Sequence, residues 1–353
     1  MVTPSGAVLN QHTVVVACLV TAAAVIVTGY IYHRLRRTRL PTEWKPVGKV
    51  AKLCIFPFKS GKRIEVEKAK CTKQGLMEME KADGSIRLRD RSFVVYHAEN
   101  HEYRNARHYP KMVVVEIRAH DKDSVVLKAP DVRTLHLRLP SKEEHPEVVI
   151  KHYRQEQITS IDCGDEAATW ISEFILGKIN GLRMAYHDGT YKRTQINKLY
   201  KDKIDYYRRG LRNESTGLNA DLTAMHIINA ASVREVNRRI GTAAVTVDNF
   251  RPNLVVDGPN LEPFEEDNWE WIKCGNVVIK NVVECMRCIM TTVDTETGIR
   301  RTDREPLKTM EKFRMSKGPE KAPVMGILLE AFETGIISVG DTVYIGKTSR
   351  RQY

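Results

Sequence analysis

Two cysteines, Cys285 and Cys288, flank the dipeptide Met286-Arg287 in the stretch ECMRCIMTTVD. This spacing suits half of a zinc site, a redox dithiol, or one thiolate ligand for a soft metal. A zinc site needs two more ligands, and the sequence has no second CxxC and no histidine pair at finger spacing. A redox dithiol would be expected in a thioredoxin-like βαβ unit, whereas strands are predicted around this pair. Two ordinary thiols remain the plain alternative, although the adjacent Arg287 favours a thiolate.

Two basic stretches far upstream could bind a phosphate. The stretch FPFKSGKRIEV contains Lys59, Ser60, Lys62 and Arg63, and the stretch RLRDRSFVVY contains Arg87, Arg89 and Arg91 around Asp90. Lysine offers a point charge, serine a hydroxyl donor and arginine a two-pronged donor to phosphate oxygens. Neither stretch is a P-loop, because no G-x-x-x-x-G-K-[ST] precedes a helix. A solvated basic face is the alternative for each stretch taken alone.

The stretch NFRPN places Asn249, Arg251 and Asn253 around a proline. Two amides and a guanidinium can recognise a flat heterocycle, or they can brace a turn. Asp294, which follows the cysteine pair, could relay protons, but it begins the turn-like stretch DTETG, which favours an Asx-turn.

The elements that would position these groups are mainly strands. Alternating or continuous apolar residues predict strands at 50–56, 94–97, 112–117, 125–129, 134–139, 253–258, 269–273, 276–285 and 341–346. A helix is predicted at about 165–179, with Trp170, Ile171, Phe174 and Ile175 on one face. A capping box beginning at Ser232 predicts a second helix, and the turn KCGN predicts a hairpin. Long-range strand pairing with few helices indicates an α+β fold rich in barrels.

Residues 186–220 are polar, basic and rich in tyrosine. This composition predicts a solvated excursion on the surface. Interleaved aromatic and basic side chains could also bind RNA, which would give binding that weakens steeply with salt.

The amino terminus predicts a membrane anchor. Residues 13–32 carry no charge, and about 20 such residues span a bilayer as a helix. Four arginines lie within residues 33–39 and no Lys or Arg precedes the span, so the body of the protein is expected in the cytosol. A cleaved signal peptide would carry its basic residues before the apolar run. Mitochondrial outer membrane and endoplasmic reticulum are both compatible with this pattern.

Composition sets broader limits. The chain has 353 residues, a net charge of +12 and 42% hydrophobic residues, which is enough for a packed core and indicates anionic ligands or partners. Seven scattered cysteines favour a reducing compartment over a disulfide framework.

An ordered set of motifs resembles one family. The stretches FPFKS, RDRSF, NARHYP, DCGDEAATW, NFRPN and CMRCIMTTVDTETG are similar to those of MOSC proteins, and closest to the mitochondrial amidoxime-reducing components. The resemblance covers about residue 49 to the end. It implies a barrel-rich MOSC fold with an amino-terminal β-barrel part. The expected organisation is a tail at 1–12, a transmembrane anchor at 13–32, a basic linker at 33–47, a β-barrel domain at 48–180 and a MOSC domain at 181–353.

The resemblance also implies a molybdenum cofactor, which is a pterin dithiolene with a terminal phosphate. Lys59, Ser60 and Arg91 match the family's phosphate-contacting positions, and Arg251 and Asn253 match its pterin-binding positions. Cys288 matches the molybdenum ligand. In the stretch NADLTAMH, Asp221 and Thr223 align with a cofactor-contacting Asp-Thr-Ser-Pro segment, from which this chain departs at Leu222 and Ala224.

The activity implied by the resemblance is reduction of small N-hydroxylated compounds such as amidoximes and hydroxylamines. Because the sequence has no flavin or nicotinamide fingerprint, electrons must come from outside. By resemblance the donors are cytochrome b5 and its NADH-dependent reductase, and no nucleic acid is expected. A non-catalytic carrier of the cofactor or a sulfur-transfer module is the alternative, since MOSC domains also end the molybdenum cofactor sulfurases.

Overall fold

The computed structural model describes residues 16, 18–29, 40–194, 196–207, 215–242 and 245–346. Residues Trp44–Gly346 form one compact unit. In the separate amino-terminal part, residues 18–29 are helical with exposed side chains. The predicted tail lies outside the described residues, and so do parts of the predicted anchor and linker. Across the described ranges, no helix is both long enough and apolar enough to cross a bilayer.

Strands dominate the compact unit. The described residues form β1 (Lys45–Ile55), β2 (Ile64–Glu65), β3 (Lys68–Thr72), β4 (Gly75–Glu78), β5 (Phe93–His97), β6 (Tyr103–Arg104), β7 (Glu116–Ala119), β8 (Ser124–Lys128), β9 (Leu135–Arg138), β10 (Glu147–Lys151), β11 (Gln157–Asp162), β12 (Leu182–Tyr186), β13 (Met225–Asn229), β14 (Leu254–Asp257), β15 (Trp271–Cys274), β16 (Val277–Met286), β17 (Val324–Glu333), β18 (Gly335–Ser338) and β19 (Thr342–Gly346). Most of the predicted strands are therefore confirmed.

Helices are short and few in the same ranges. They are α1 (Gly164–Leu176), α2 (Ile196–Leu199), α3 (Lys201–Tyr207), α4 (Ala230–Ile240) and α5 (Leu307–Met310). Helical turns of the 3-10 type span Pro110–Val114, Tyr153–Gln155, Val247–Phe250, Glu265–Asn268 and Ile289–Thr292.

A closed barrel forms the carboxyl-terminal half. Among the described strands its order is β14-β13-β17-β16-β15-β19-β1, and β1 pairs again with β14. Closure depends on β1, whose first residues pair with β19 and whose later residues, Lys49 to Leu53, pair with β14. Leu53, Ile227 and Ile327 are fully buried in the apolar core that these strands share. The barrel confirms the α+β class with a closed sheet.

A second core lies in the amino-terminal half. Sheets β10-β11-β12-β5-β6 and β7-β8-β9 supply its strands, and α1 packs on it. The predicted helix is confirmed, because α1 buries Trp170, Ile171, Phe174 and Ile175, and it ends at Gly177 in a left-handed conformation. Strand β12 pairs with β5 and β11, so this sheet continues past residue 180. The domain boundary placed there stays a prediction.

Two local predictions are wrong for identifiable reasons. Residues Pro110–Val114 form a 3-10 helix instead of the first half of a strand, because proline suits the first turn of a helix. Helix α4 begins before the predicted capping box: Asn229 is its N-cap and accepts a hydrogen bond from the Ala231 amide at 2.9 Å. The Ser232 hydroxyl instead donates to the buried Glu266 carboxylate at 2.8 Å.

The surface excursion predicted at 186–220 is also wrong for much of its described length. Ile196 and Tyr200 are buried in an apolar cluster that includes strand β16. Arg193 is buried and forms a two-pronged ion pair with Glu156, with Nε 2.9 Å from Oε1 and Nη2 2.5 Å from Oε2. Tertiary packing thus overrides a composition that is typical of solvated loops.

Strand β17 approaches β13 so closely that it needs glycine. Gly326 has φ +71°, and a Cβ added there would lie 2.4 Å from the Ile227 carbonyl oxygen and 2.5 Å from His226 Nε2. Gly340, in the turn before β19, also has positive φ (+90°) but has no atom within 4 Å of such a Cβ. Both glycines have a left-handed backbone, but only Gly326 lacks room for a side chain.

We expect Gly326→Ala to lower the free energy of unfolding by about 1–3 kcal/mol more than Gly340→Ala, because it adds a clash to the left-handed strain. Denaturant unfolding of the two purified variants measures this difference. Equal destabilisation would show that the strands move apart at negligible cost.

Candidate active site

A cavity of about 320 Å³ opens in the compact unit, and five of the segments that line it carry the residues implied by the family resemblance. These segments follow β1, precede β5, precede β13, precede β14 and follow β16. All eight residues that the resemblance implies as cofactor or metal ligands line the cavity: Lys59, Ser60, Arg91, Asp221, Thr223, Arg251, Asn253 and Cys288. The other basic residues of the two upstream stretches, Lys62, Arg63, Arg87 and Arg89, do not line it.

Three of these residues have strained backbones. Ser60, Arg91 and Arg251 have φ of 75°, 50° and 54°, in the left-handed region that side chains other than glycine rarely adopt. Such conformations persist only where surrounding contacts enforce them, and they cluster at functional sites. Here they direct three loops toward a common space.

The contacts that enforce this geometry converge on Asp90. Its buried carboxylate accepts hydrogen bonds from the Phe56 amide at 2.9 Å and from Asn253 Nδ2 at 2.9 Å, and it pairs with Arg91. Asn253 Oδ1 in turn accepts from Arg91 Nη1 at 3.0 Å. One carboxylate thus ties together the segments after β1, before β5 and before β14.

Arg251 carries a buried charge with an incomplete set of partners. Its Nη1 donates to the Gly61 carbonyl at 2.7 Å, its guanidinium carbon lies 4.2 Å from the centre of the Phe56 ring, and its buried Nη2 has no partner among the described residues. Burial, and then repulsion by Arg91, lowers the pKa of Arg251. Arginine nevertheless stays protonated, so an anion or acceptor in the cavity would stabilise it.

Lys59 is buried and held by the segment before β13. Its Nζ lies 2.6 Å from Asp221 Oδ1 and donates to the Asn219 carbonyl at 2.7 Å. Burial lowers the pKa of Lys59 although Asp221 opposes this. Desolvation raises the pKa of Asp221, but the charge and hydrogen bond of Lys59, together with the charge of Arg107, outweigh it and lower the pKa overall. The pairing of Lys59 with Asp221 favours the charged form of both groups.

The rest of the segment before β13 has mainly structural contacts. The Thr223 hydroxyl donates to the Met225 carbonyl at 3.1 Å. Leu222 and Ala224, where the chain departs from the family pattern, are buried in apolar clusters with Ile196 and Leu53, respectively. Their contribution is packing, which fixes the position of Asp221.

The two cysteines lie in different surroundings. Both cysteines line the cavity, but Cys288 is exposed whereas Cys285 is half-buried. Arg287 contacts Cys285, with Nη1 2.7 Å from Sγ, and its Nη2 donates to the Phe250 carbonyl at 2.6 Å. Burial raises the pKa of Cys285, although Arg287 opposes the shift. The sequence places Arg287 between the two cysteines. In the structure it hydrogen-bonds the sulfur of Cys285, which is not the predicted metal ligand.

Asp294 forms the Asx-turn that its position predicts. Its Oδ1 accepts from the Glu296 amide at 3.0 Å and from the Thr297 amide at 2.8 Å.

Sequence reasoning missed several residues that line the cavity. They are Asn105, Arg107, Tyr153, Tyr200, Lys203, His226, Met286 and Glu320. Asn105 and Arg107 belong to NARHYP, a motif that carried the resemblance without a chemical role. Tyr200 and Lys203 belong to the segment taken for a surface excursion, and no local pattern marks them as inward-facing.

The cavity suits an anionic group with a soft metal. Its described lining includes six cations, Lys59, Arg91, Arg107, Lys203, Arg251 and Arg287, against the carboxylates of Asp221, Glu284 and Glu320. The unpartnered Arg251 Nη2 offers a donor to phosphate or to a heterocycle, and the exposed Cys288 offers a soft sulfur ligand. The residues present therefore fit a phosphate-bearing molybdenum cofactor.

The barrel and the cavity define a protein of the MOSC class. Residues 47–178 match the MOSC N-terminal beta barrel domain and residues 216–344 match the MOSC domain. Relatives named mitochondrial amidoxime reducing component 2 are 34% identical in Bos taurus, over 88% of this chain and 85% of the relative, and 32% identical in Homo sapiens, over 91% and 90%. Mitochondrial amidoxime-reducing component 1 of Mus musculus is 31% identical over 91% and 89%. The chain belongs to the family of mitochondrial amidoxime-reducing components.

We expect Asp90→Ala to lower the free energy of unfolding by about 3 kcal/mol, because it leaves Arg91 and Asn253 without their buried acceptor. Asp257→Ala is the matched control: Asp257 pairs with Arg234 at 3.0 Å on the surface, where such a pair contributes less than about 1 kcal/mol. Urea unfolding of both variants tests this. Equal losses would show that Asp90 does not hold the site together.

Proposed function

We propose that the protein is a molybdenum-cofactor-dependent reductase of N-hydroxylated compounds, including amidoximes and hydroxylamines. The observation that carries the proposal is the convergence of all eight predicted ligands on one cavity with an excess of positive charge. The names of the relatives support the same class of reaction.

The roles of the lining residues follow from their chemistry. Cys288 provides the thiolate for molybdenum, and Lys59, Ser60 and Arg91 bind the phosphate. Arg251 binds the pterin through its unpartnered Nη2 beside the Phe56 ring, and Asn253 contacts the pterin from the position in which its hydrogen bond to Asp90 holds it. Asp221 and Thr223 complete this wall, and Asp221 keeps Lys59 oriented.

The reaction consumes R–NH–OH, two electrons and two protons, and yields R–NH2 and water. When bound, the molybdenum cofactor supplies the two-electron couple for this reduction. The chain contributes a partly enclosed cavity in which Met286, Leu328 and Tyr153 provide walls for the R group beside Cys288. Solvent or a nearby acid supplies the protons.

Electrons are proposed to arrive from cytochrome b5, which its NADH-dependent reductase reduces. The net charge stays positive when the four arginines within residues 33–39, beside the anchor, are left out, and this favours association with an acidic redox partner. The proposed location is the mitochondrial outer membrane, anchored through residues 13–32 with the catalytic part in the cytosol. The endoplasmic reticulum membrane is the alternative that the same anchor allows.

We expect Cys288→Ala to abolish NADH-coupled reduction of benzamidoxime and to lower bound molybdenum at least about tenfold, because it removes the proposed metal ligand. Cys285→Ala is the matched control, which should retain molybdenum because its sulfur faces Arg287. The readouts are metal analysis and NADH oxidation in the presence of cytochrome b5 and its reductase.

Full activity in Cys288→Ala would refute the assignment. Stoichiometric molybdenum without reduction in the wild type would instead support the carrier alternative. Absence of molybdenum in a protein loaded under cofactor-replete conditions would exclude both.

A further inference from the structure

The cations of the cavity differ in the groups with which they pair. Lys59 pairs with Asp221, Arg91 with Asp90, and Lys203 with Glu320 at 3.0 Å. Arg287 contacts the Cys285 sulfur and the Phe250 carbonyl through its two terminal nitrogens, and its buried Nε has no partner among the described residues. The Nη2 of Arg251, which has no partner among the described residues, would donate to the proposed pterin. Arg107 is left without an assigned role.

Arg107 is half-buried and faces the cavity from the segment after β6. Its Nη2 donates to the Tyr103 hydroxyl at 2.6 Å, and its guanidinium carbon lies 5.6 Å from the centre of the Tyr153 ring. No described carboxylate pairs with it directly. Arg107 and the proposed metal ligand Cys288 line the same cavity.

Asn105 presents a second donor from the same segment. Its buried side chain accepts from the Arg107 amide through Oδ1 at 2.9 Å, and the same oxygen lies 3.0 Å from His108 Nδ1. Because a backbone N–H must meet the oxygen, the orientation of the amide is fixed. Its Nδ2 lies on the other side and donates to no residue that the structure describes, while Asn105 lines the cavity.

We infer that Asn105 and Arg107 bind the hydroxyl oxygen of the N-hydroxylated substrate beside Cys288. The inference rests on the proposed function. It gives a chemical role to Asn105 and Arg107, whose motif, NARHYP, carried the resemblance without one. One neutral and one charged donor, both fixed by local hydrogen bonds, suit an oxygen that gains negative charge as the N–O bond breaks.

The local geometry explains why these donors are well placed. Arg107 is held by Tyr103 and by the face of Tyr153, so little side-chain entropy is lost when it binds a ligand. Asn105 shares its oxygen with the Arg107 backbone, so the two donors are positioned as one unit. A substrate without the oxygen would leave both of them without an acceptor, and sites of this kind discriminate strongly against such analogues.

The test measures binding without turnover. Benzohydroxamic acid and benzamide differ by the N–OH oxygen, and their dissociation constants for the oxidised, molybdenum-loaded full-length protein are measured calorimetrically with no electron donor present. We expect the wild type to prefer benzohydroxamic acid. Arg107→Gln and Asn105→Asp should each reduce that preference at least tenfold while molybdenum content and benzamide affinity stay unchanged.

The variants are matched to the contacts. Asn105→Asp keeps the oxygen that accepts from the Arg107 amide and replaces the cavity-facing donor by an acceptor. Arg107→Lys keeps the charge and should retain more of the preference than Arg107→Gln. Arg104→Gln is the control on the neighbouring residue, since Arg104 pairs with Glu102 at 3.1 Å and does not line the cavity; it should bind both ligands like the wild type.

Unchanged preference in Arg107→Gln and Asn105→Asp, with molybdenum bound and benzamidoxime reduced by the wild type, would overturn the inference and leave the proposed function standing. If Arg107→Gln does not fold, Arg107→Lys and Asn105→Asp decide the outcome. A wild type without molybdenum or reductase activity would instead refute the proposed function.

Discussion

The site depends on holding several positive side chains together in a cavity of about 320 Å³. Like charges at short range repel strongly where water is partly excluded, so such a cluster needs buried counter-charges and fixed backbones. Asp90 provides the main counter-charge, because it accepts from Phe56 and Asn253 and pairs with Arg91. Left-handed conformations at Ser60, Arg91 and Arg251 are the strain that these contacts maintain.

The closed barrel makes these contacts possible. The Asp90–Asn253 hydrogen bond joins residues 163 apart in the sequence, and the Lys59–Asp221 ion pair joins residues 162 apart. Strand β1 brings the two halves together by pairing with both β14 and β19. Because Lys59 follows β1 and Asn253 precedes β14, closing the barrel also closes the cavity. Stability of the barrel and geometry of the site therefore have a common cause.

Much of this organisation was predictable from sequence and some of it was not. Apolar periodicity predicted α1 and most strands, and the family resemblance predicted the eight residues that share the cavity. The burial of part of residues 186–220 was not predictable from composition, which indicates only average exposure. Arg193, for example, is buried against Glu156, which is 37 residues away in the sequence. The start of α4 was misplaced because the Ser232 hydroxyl has a tertiary acceptor in Glu266, whereas the cap is the less obvious Asn229. Local patterns identify which groups can act, and long-range contacts decide which of them do.

Long-range contacts also divide the cations of the cavity into those that hold its walls together and those that can bind a ligand. Lys203, which pairs with Glu320, helps to hold the walls together, whereas Asp221 and Asp90 orient Lys59 and Arg91, the proposed phosphate contacts. Donors left without an acceptor in a largely desolvated place cost about 1–3 kcal/mol each unless a ligand meets them. Arg251 lies with Phe56 and Gly61, whereas Arg107 and Asn105 lie with Tyr103 and Tyr153. The proposed cofactor would meet the buried Nη2 of Arg251, and the proposed substrate would meet donors of Asn105 and Arg107, so the two ligands would use different donors of one cavity.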